Sequence, residues 1–239
     1  MKGVILAGGK GTRLHPATSL LNKHLLPVGK YPMIHYGIRK LAEAGIKEII
    51  LVIGKHSAGR FIDYLGTGSE WGVSLTYRIQ EEAGGIAQAL SLADGFIRPG
   101  ENFVVLLGDN LFEDSLKDQL SEYERQGGGA RVMLKEVDNP RRYGVPVLLN
   151  GQILFIEEKP KTPKSRYSVT GIYMYDYGVF DVIKRIRPSD RGELEITDVN
   201  NIYAVEGTLH YGVLNGWWTD AGTHRSIHEA AARLLDIDQ

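Results

Sequence analysis

The segment Gly8–Arg13, with the sequence GGKGTR, combines residue types that suit the binding of phosphate groups. Its three glycines allow the backbone to approach a ligand closely and to turn amide groups toward an anion. Thr12 adds a hydroxyl group, and Arg13 adds a positive charge that persists at neutral pH. The segment predicts a site for the phosphates of a nucleotide; an ordinary strand-to-loop turn is the alternative interpretation.

Two common phosphate-binding motifs do not match this chain. The P-loop pattern GxxxxGK(S/T) is absent, and the dinucleotide fingerprint GxGxxG fails because Leu14 stands where the third glycine belongs. No acidic residue closes a second strand about twenty residues further on. These mismatches argue against a P-loop NTPase and against an NAD-dependent enzyme.

Charged residues also follow other apolar segments. Asp109 comes after the apolar run Phe103–Leu107, where an unpaired carboxylate would be costly. It therefore predicts a divalent metal or a cationic partner, with a helix cap as the alternative. Lys23 precedes a Leu-Leu-Pro turn and is either functional or an ordinary solvated lysine. Asp220 and the segment Glu157–Lys159 end further predicted strands.

The first half of the chain alternates predicted strands with predicted helices. The strands are Lys2–Ala7, Glu48–Ile53, Ser74–Gln80 and Asn102–Leu107, and the helices are Pro32–Ala44, Ser57–Leu65, Ile86–Gly95 and Ser115–Arg125. Continuous apolar strands in this order predict a parallel sheet covered on both faces. Ligands of such sheets bind at the carboxyl ends of the strands, where the motifs above fall.

The second half predicts more strand. The strands are Arg131–Glu136, Val145–Leu149, Gln152–Glu158, Tyr167–Tyr175, Leu209–Leu214 and Trp217–Trp218. Asn150-Gly151 predicts a tight hairpin between the second and third of them. Helices are predicted over Val179–Arg187, within Glu193–Val205 with Thr197 as a candidate cap, and over His224–Leu235. With no linker or repeat in view, we expect one mixed α/β domain.

Composition excludes several classes of protein. The 239 residues include no cysteine, so a disulfide framework, a thiol nucleophile and an iron–sulfur cluster are ruled out. Lys and Arg total 28 against 29 Asp and Glu, which argues against a nucleic-acid partner. The longest apolar runs have five residues, too few to span a membrane, and no signal peptide is evident. We predict a soluble, cytoplasmic protein.

Taken together, the motifs resemble those of the sugar-1-phosphate nucleotidylyltransferases. They run in order over nearly the whole chain: GVILAGGKGTRL, NKHLLP, GSEWG, GGIAQAL, LLGDN, YGV, EEKP, YSVTGIYMYD, RGELEITDVN and WWTDAGTH. Gln80 with GGIAQA, VTGIY and GELEITD is most similar to the thymidylyl branch of that family, whose members join dTTP to glucose 1-phosphate. Within that branch the chain resembles the short members, which end soon after the last helix.

The resemblance implies a fold, a reaction and partners. The fold is a Rossmann-like three-layer α/β structure with a mixed, mainly parallel sheet and an added β-rich sugar-binding half. Residues 1–128 would mainly bind nucleotide, residues 129–222 mainly sugar phosphate, and residues 223–239 would form a C-terminal helix. The implied reaction converts dTTP and glucose 1-phosphate to dTDP-glucose and pyrophosphate with Mg²⁺ as cofactor, and a homo-oligomer is expected.

The resemblance also implies the roles of individual residues. The nucleotide would contact Leu6, Gly8, Gly9, Gly11, Thr12, Arg13, Gln80, Gly85 and Asp109. The sugar phosphate would contact Asn110, Tyr143, Gly144, Glu158, Lys159, Val169 and Arg191. Arg13, Lys23, Asp109 and Lys159 would be catalytic, and Asp109 and Asp220 would hold the metal.

Some features depart from the family pattern. His24 stands where a glutamine is usual, and Asn22 where a serine is usual, so the surroundings of Lys23 differ in detail. Many members also carry a further C-terminal segment associated with feedback control and subunit contacts. The alternatives are another nucleotide or sugar phosphate, a non-catalytic nucleotide-sugar sensor, and a glycosyltransferase, although LGDN lacks the second aspartate of a D-x-D metal motif.

Overall fold

The computed structural model describes residues 1–237. Within this range the strands are β1 (Lys2–Ala7), β2 (Pro27–Val28), β3 (Tyr31–Pro32), β4 (Glu48–Gly54), β5 (Ser74–Gln80), β6 (Phe103–Leu107), β7 (Asn110–Phe112), β8 (Ala130–Glu136), β9 (Gly144–Leu149), β10 (Gln152–Glu158), β11 (Tyr167–Tyr175), β12 (Leu209–Val213) and β13 (Trp218–Asp220). The helices are α1 (Met33–Glu43), α2 (Ala58–Leu65), α3 (Ile86–Ser91), α4 (Lys117–Gln126), α5 (Val179–Arg185), α6 (Ile196–Val205) and α7 (His224–Ile237). No helix of residues 1–237 has the length and apolar content that crossing a membrane requires.

The central sheet contains seven of these strands in the order β12-β8-β11-β6-β1-β4-β5. All neighbours are parallel except β11, which is antiparallel to β6 and to β8. The mixed, mainly parallel sheet confirms the predicted fold class. The carboxyl ends of β1, β4, β5 and β6 therefore meet along one edge, which is where the motif residues follow the strands.

Residues of β1 show why its sequence is apolar without a break. Val4 and Leu6 join the hydrophobic cluster under α3, α5 and α6, whereas Ile5 and Ala7 join the cluster under α1, α2 and α4. Successive side chains of a strand point to opposite faces, so a strand covered by helices on both sides is apolar at every position. The three-layer prediction is confirmed by these two clusters.

Several predicted boundaries shift. Helix α1 begins at Met33, because Pro32 belongs to a short hairpin with Pro27, and α3 ends at Ser91 in a series of turns before Ile97. Strand β7 follows Asp109 directly and pairs with β13, so the alternative that Asp109 caps a helix is wrong. The prediction of Thr197 as a cap is also wrong, because α6 begins at Ile196 and its capping position is Glu195.

The predicted hairpin between β9 and β10 is confirmed. Asn150 and Gly151 adopt φ angles of 51° and 76°, the left-handed pair that a two-residue turn between twisted antiparallel strands requires. The other notable pairing, of β7 with β13, covers three residues and joins segments more than one hundred positions apart. It places Asp220 opposite Asn110, the residue after Asp109.

Candidate active site

Two adjoining cavities lie at the carboxyl ends of the strands, with volumes of about 220 Å³ and about 610 Å³. Lys23 and Asp109 line both cavities. Of the residues predicted from the sequence, the smaller cavity also contains Leu6, Gly8, Gly9, Gln80 and Gly85. The larger also contains Thr12, Arg13, Asn110, Tyr143, Gly144, Glu158, Lys159, Val169, Arg191 and Asp220. Gly11 lies outside both.

Two of the three glycines after β1, Gly8 and Gly11, are required by close packing. A Cβ atom on Gly8 would overlap Gln80 Oε1, and one on Gly11 would lie 2.9 Å from Lys23 Cβ. Gly11 also adopts a φ angle of 65°, which glycine accepts without a steric penalty. Its carbonyl accepts a hydrogen bond from Thr18 Oγ1 at 2.9 Å. Gly11 therefore shapes the loop beneath Lys23.

Lys23 and Asp109 form an ion pair that is almost removed from solvent. Their side chains are 14% and 11% exposed, and Lys23 Nζ donates to Asp109 Oδ2. Burial alone would raise the pKa of Asp109, but the Lys23 ammonium, with His24 and the donors around it, holds that pKa well below its usual range. The cationic partner that Asp109 needs is thus Lys23, which is not an ordinary solvated lysine.

Asp220 is the second carboxylate of the centre. Its Oδ2 atom lies 3.7 Å from Arg13 Nη2, and its buried Oδ1 atom has no hydrogen-bond partner among residues 1–237. Burial, and then the charge of Asp109, raise the pKa of Asp220. A buried acceptor without a donor is costly, so this oxygen has a free position for a cation.

The donors around Asp109 and Asp220 fit Mg²⁺ better than zinc. Mg²⁺ is commonly held by one or two carboxylates together with substrate phosphates. Residues 1–237 contain no group of three or more His, Cys, Asp or Glu side chains arranged to hold a metal by themselves. Asp109 and Asp220 both line the larger cavity, so two carboxylates lie where substrate phosphates could complete a magnesium site.

His24 is a buried residue of the site. The sequence analysis noted it only as a departure from the family pattern and predicted no role for it. Its side chain lines the smaller cavity and is 2% exposed. Burial, followed by the charge of Lys23, lowers the pKa of His24 to about 3. The ring Nδ1 atom lies 2.8 Å from Asn22 Oδ1, which also accepts a hydrogen bond from the His24 amide. The two departures at positions 22 and 24 therefore form one hydrogen-bonded unit.

The end of β10 contributes a carboxylate and an ammonium group that lie side by side. Glu158 accepts from Thr197 Oγ1 at 2.7 Å through Oε2 and pairs with Lys159 Nζ at 2.8 Å through Oε1. Lys159 adopts a φ angle of 45°, a strained conformation for a residue with a side chain, and its amide donates to Tyr143 O. Thr197, misread as a helix cap, thereby orients Glu158.

Asn110 connects the carboxylate centre to the sugar-side strands. Its Oδ1 accepts from the Gly171 amide at 2.8 Å and from Trp218 Nε1 at 2.7 Å, and its Nδ2 donates to Asp109 Oδ1. The contact with Gly171 lies where the pairing of β11 with β8 is interrupted between Val169 and Tyr173. One amide hydrogen of Asn110 remains for a ligand.

Two arginines differ in how they are held. Arg191 donates to both carboxylate oxygens of Glu195, at 2.8 and 3.0 Å, and lies 3.4 Å from Glu193. Arg142, which the sequence analysis did not select, lines the larger cavity and forms no salt bridge with a carboxylate within the described part of the chain. Its guanidinium lies 5.7 Å from the ring centre of Tyr143. Its position directly before the YGV motif was the available signal.

Comparison with known proteins shows the family of the chain. The model of the nucleotidyl transferase family matches residues 2–237, so the chain belongs to that family. It is 43% identical to a glucose-1-phosphate thymidylyltransferase of Neisseria meningitidis, over 99% of this chain and 83% of that protein. It is 44% identical to one from Xanthomonas campestris, over 96% of this chain and 79% of that protein.

Solved structures have the same fold. One from Bacillus anthracis, described as a glucose-1-phosphate thymidylyltransferase with sucrose bound, is 53% identical and superposes with a TM-score of 0.94, over 99% of this chain and 96% of that one. A UDP-glucose pyrophosphorylase complexed with UDP-glucose is 24% identical with a TM-score of 0.86, over 99% and 98% of the two chains. The second match concerns the fold alone.

Proposed function

We propose that this chain transfers the thymidylyl group of dTTP to glucose 1-phosphate and so produces dTDP-glucose and pyrophosphate. The relatives' names support the reaction. The structural observation that carries it is the meeting of two cavities at Lys23 and Asp109. The smaller one, beside Gln80, suits a base and its sugar; the larger one, with Glu158 and Lys159, suits the hexose phosphate.

The reaction needs positive charge more than it needs a base. The sugar phosphate has a second pKa of about 6, so its attacking oxygen is already ionised at neutral pH. That oxygen forms a bond to the α-phosphorus as the bond from the α-phosphorus to the pyrophosphate oxygen breaks. Each close pair of like charges costs about 4 kcal/mol at 4 Å and an effective dielectric of 20. Cationic side chains must therefore surround the phosphates.

The chain supplies those cations from separate elements. We assign the departing pyrophosphate and the α-phosphate to Arg13, the phosphates at the reaction centre to Lys23, and the incoming sugar phosphate to Lys159. These roles amount to positioning and electrostatic stabilisation of an in-line displacement. The proposal also keeps residues 1–128 as the nucleotide half and residues 129–222 as the sugar-phosphate half.

Mg²⁺ is the proposed cofactor, held by Asp109 and Asp220. When bound there, it would neutralise part of the charge of the triphosphate. The unpartnered Asp220 Oδ1 and the carboxylate character of both groups support this assignment. A homo-oligomer acting in the cytoplasm belongs to the same proposal, for which the absence of cysteine is compatible with a reducing compartment.

Pyrophosphate release tests the proposed reaction. The purified chain is incubated with glucose 1-phosphate and Mg²⁺ and with dTTP, UTP, CTP, ATP or GTP in turn. We expect dTTP to react fastest and UTP to react more slowly, because UTP carries an additional 2′-hydroxyl group and lacks a methyl group that is worth about 1–3 kcal/mol in a pocket. Folded protein that binds dTTP and releases no pyrophosphate would contradict the proposal and favour a sensor.

A pair of variants tests the role of the loop after β1. Arg13→Ala should lower kcat by about 10²–10³, the usual effect of removing one donor to the transition state. Lys10→Ala is the matched control, because Lys10 is an exposed cation of the same loop that lines neither cavity. Equal activities of the two variants would contradict the assignment of Arg13.

A further inference from the structure

Gln80 is held by a second glutamine that lies outside both cavities. Gln80 ends β5, is 5% exposed and lines the smaller cavity. Its Nε2 atom donates to Gln88 Oε1 at 2.6 Å. Gln88 belongs to α3 and lines neither cavity. It is connected to the smaller cavity through its hydrogen bond with Gln80. The hydrogen bond joins the end of a strand to the helix that follows it in the chain.

Both amide groups pack against glycine. Gln80 Oε1 occupies the space that a Cβ atom of Gly8 would fill. A Cβ atom on Gly84 would lie 3.1 Å from Gln88 Cγ and 3.4 Å from Gln88 Oε1. The pair is therefore enclosed between the loop after β1 and the loop before α3. Because Gly8 and Gly84 have no side chains, there is room for both glutamines in this arrangement.

An amide side chain alone cannot distinguish thymine from cytosine. Thymine and uracil present a carbonyl acceptor at C4 and an N–H donor at N3, whereas cytosine presents an amino donor and a nitrogen acceptor. A glutamine can match either pattern by turning its amide through half a rotation, since it carries both donors and acceptors. Selection requires something that fixes which end of the amide faces the base.

We infer that Gln88 is the positioning residue that fixes the Gln80 amide and thereby selects keto pyrimidines over cytosine. Because Gln88 Oε1 accepts one hydrogen of Gln80 Nε2, the other hydrogen is left for the C4 carbonyl, and Gln80 Oε1 is left for the N3–H group. Cytosine would need the reverse orientation of Gln80, which places two amide oxygens against each other unless Gln88 turns its own amide as well. The inference rests on the proposed function, in which Gln80 faces the base.

Two substitutions separate this role from simple packing. Gln88→Met keeps the length of the side chain and removes the acceptor, so the Gln80 amide is free to turn. Gln88→Glu keeps an acceptor that cannot donate, so it holds Gln80 Nε2 at least as firmly as the wild-type amide, which can turn. The substrates are dTTP, dUTP and dCTP, each with glucose 1-phosphate and Mg²⁺.

The readout is a ratio within each variant, so a general loss of activity cancels. We expect the wild type and Gln88→Glu to prefer dUTP to dCTP in kcat/KM, and Gln88→Met to lose about tenfold of that preference, the usual worth of one hydrogen bond. The ratio of dTTP to dUTP should stay constant in all three proteins, because these bases share the same hydrogen-bonding edge.

An unchanged dUTP-to-dCTP ratio in Gln88→Met, or no preference in the wild type, overturns the inference. A wild type that releases no pyrophosphate from any nucleotide contradicts the proposed function instead. In that event, thermal-shift titration with dUTP and dCTP measures the same preference as binding. Loss of the preference in Gln88→Met with retention in Gln88→Glu supports the inference by that assay too.

Discussion

The buried histidine next to Lys23 should make the folded protein less stable in mild acid. His24 is neutral in the folded chain because its pKa is lowered to about 3, whereas in the unfolded chain it binds a proton near its ordinary pKa of 6.5. Between these two values the unfolded state binds more protons, so the free energy of unfolding falls as the pH falls. Above the higher value both states are neutral, and the contribution of His24 to the pH dependence disappears.

The magnitude follows from the difference in pKa. Each pH unit within the window is worth about 1.4 kcal/mol for a single group. At about pH 5 the free energy of unfolding should therefore be about 2 kcal/mol lower than at neutral pH because of His24. His24→Gln has no proton to bind in this range, and the family resemblance implies that glutamine is accommodated at this position.

Urea unfolding at about pH 7.5 and about pH 5 measures this effect. On going from about pH 7.5 to about pH 5, the wild type should lose about 2 kcal/mol more free energy of unfolding than His24→Gln loses. His228→Gln, at an exposed position of α7, is the matched control and should follow the wild type more closely. Parallel pH profiles of the wild type and His24→Gln would refute the neutral, buried state of His24.

Three further substitutions test the centre and the sugar side. Arg142→Ala should lower kcat/KM for glucose 1-phosphate by about tenfold or more, since a charge-assisted hydrogen bond is worth about 1.5–3 kcal/mol, whereas Arg141→Ala, exposed and outside the cavity, should not. Thr197→Val should raise KM for the sugar phosphate several-fold with kcat less affected, because Glu158 loses its 2.7 Å donor; steady-state kinetics check both. Asp220→Asn should raise the Mg²⁺ concentration needed for half-maximal rate, and an unchanged metal titration would count against ligation.

The sequence was most informative where a local pattern has a single physical cause. The alternation of Val4 and Leu6 with Ile5 and Ala7 across the sheet is what a continuous apolar strand between helices requires. Because parallel strands end at one edge, the motif after β1 and Asp109 after β6 had to lie near each other. The prediction that these two segments meet followed from the topology of the sheet, whereas the roles of individual residues came from the family resemblance.

The sequence was least informative about partners that are distant along the chain. Nothing near Thr197 indicates Glu158, and the three-residue pairing of β7 with β13 is too short to show a periodicity. The helix-cap interpretation of Asp109 failed for this reason, since the competing strand forms only in the presence of β13. Local rules describe caps and turns, while such contacts depend on the packed fold.

The charges of the site are satisfied by one another in a way that constrains how phosphates can bind. Lys23 pairs with Asp109, Arg13 lies beside Asp220, and Lys159 pairs with Glu158. A phosphate that draws Lys23 or Arg13 toward itself removes the counter-charge of a buried carboxylate, which is costly unless another cation replaces it. Asp109 is kept ionised by its lysine, so its demand for a cation persists at neutral pH. Nucleotide and metal should therefore bind with positive coupling, each strengthening the affinity for the other by the same factor.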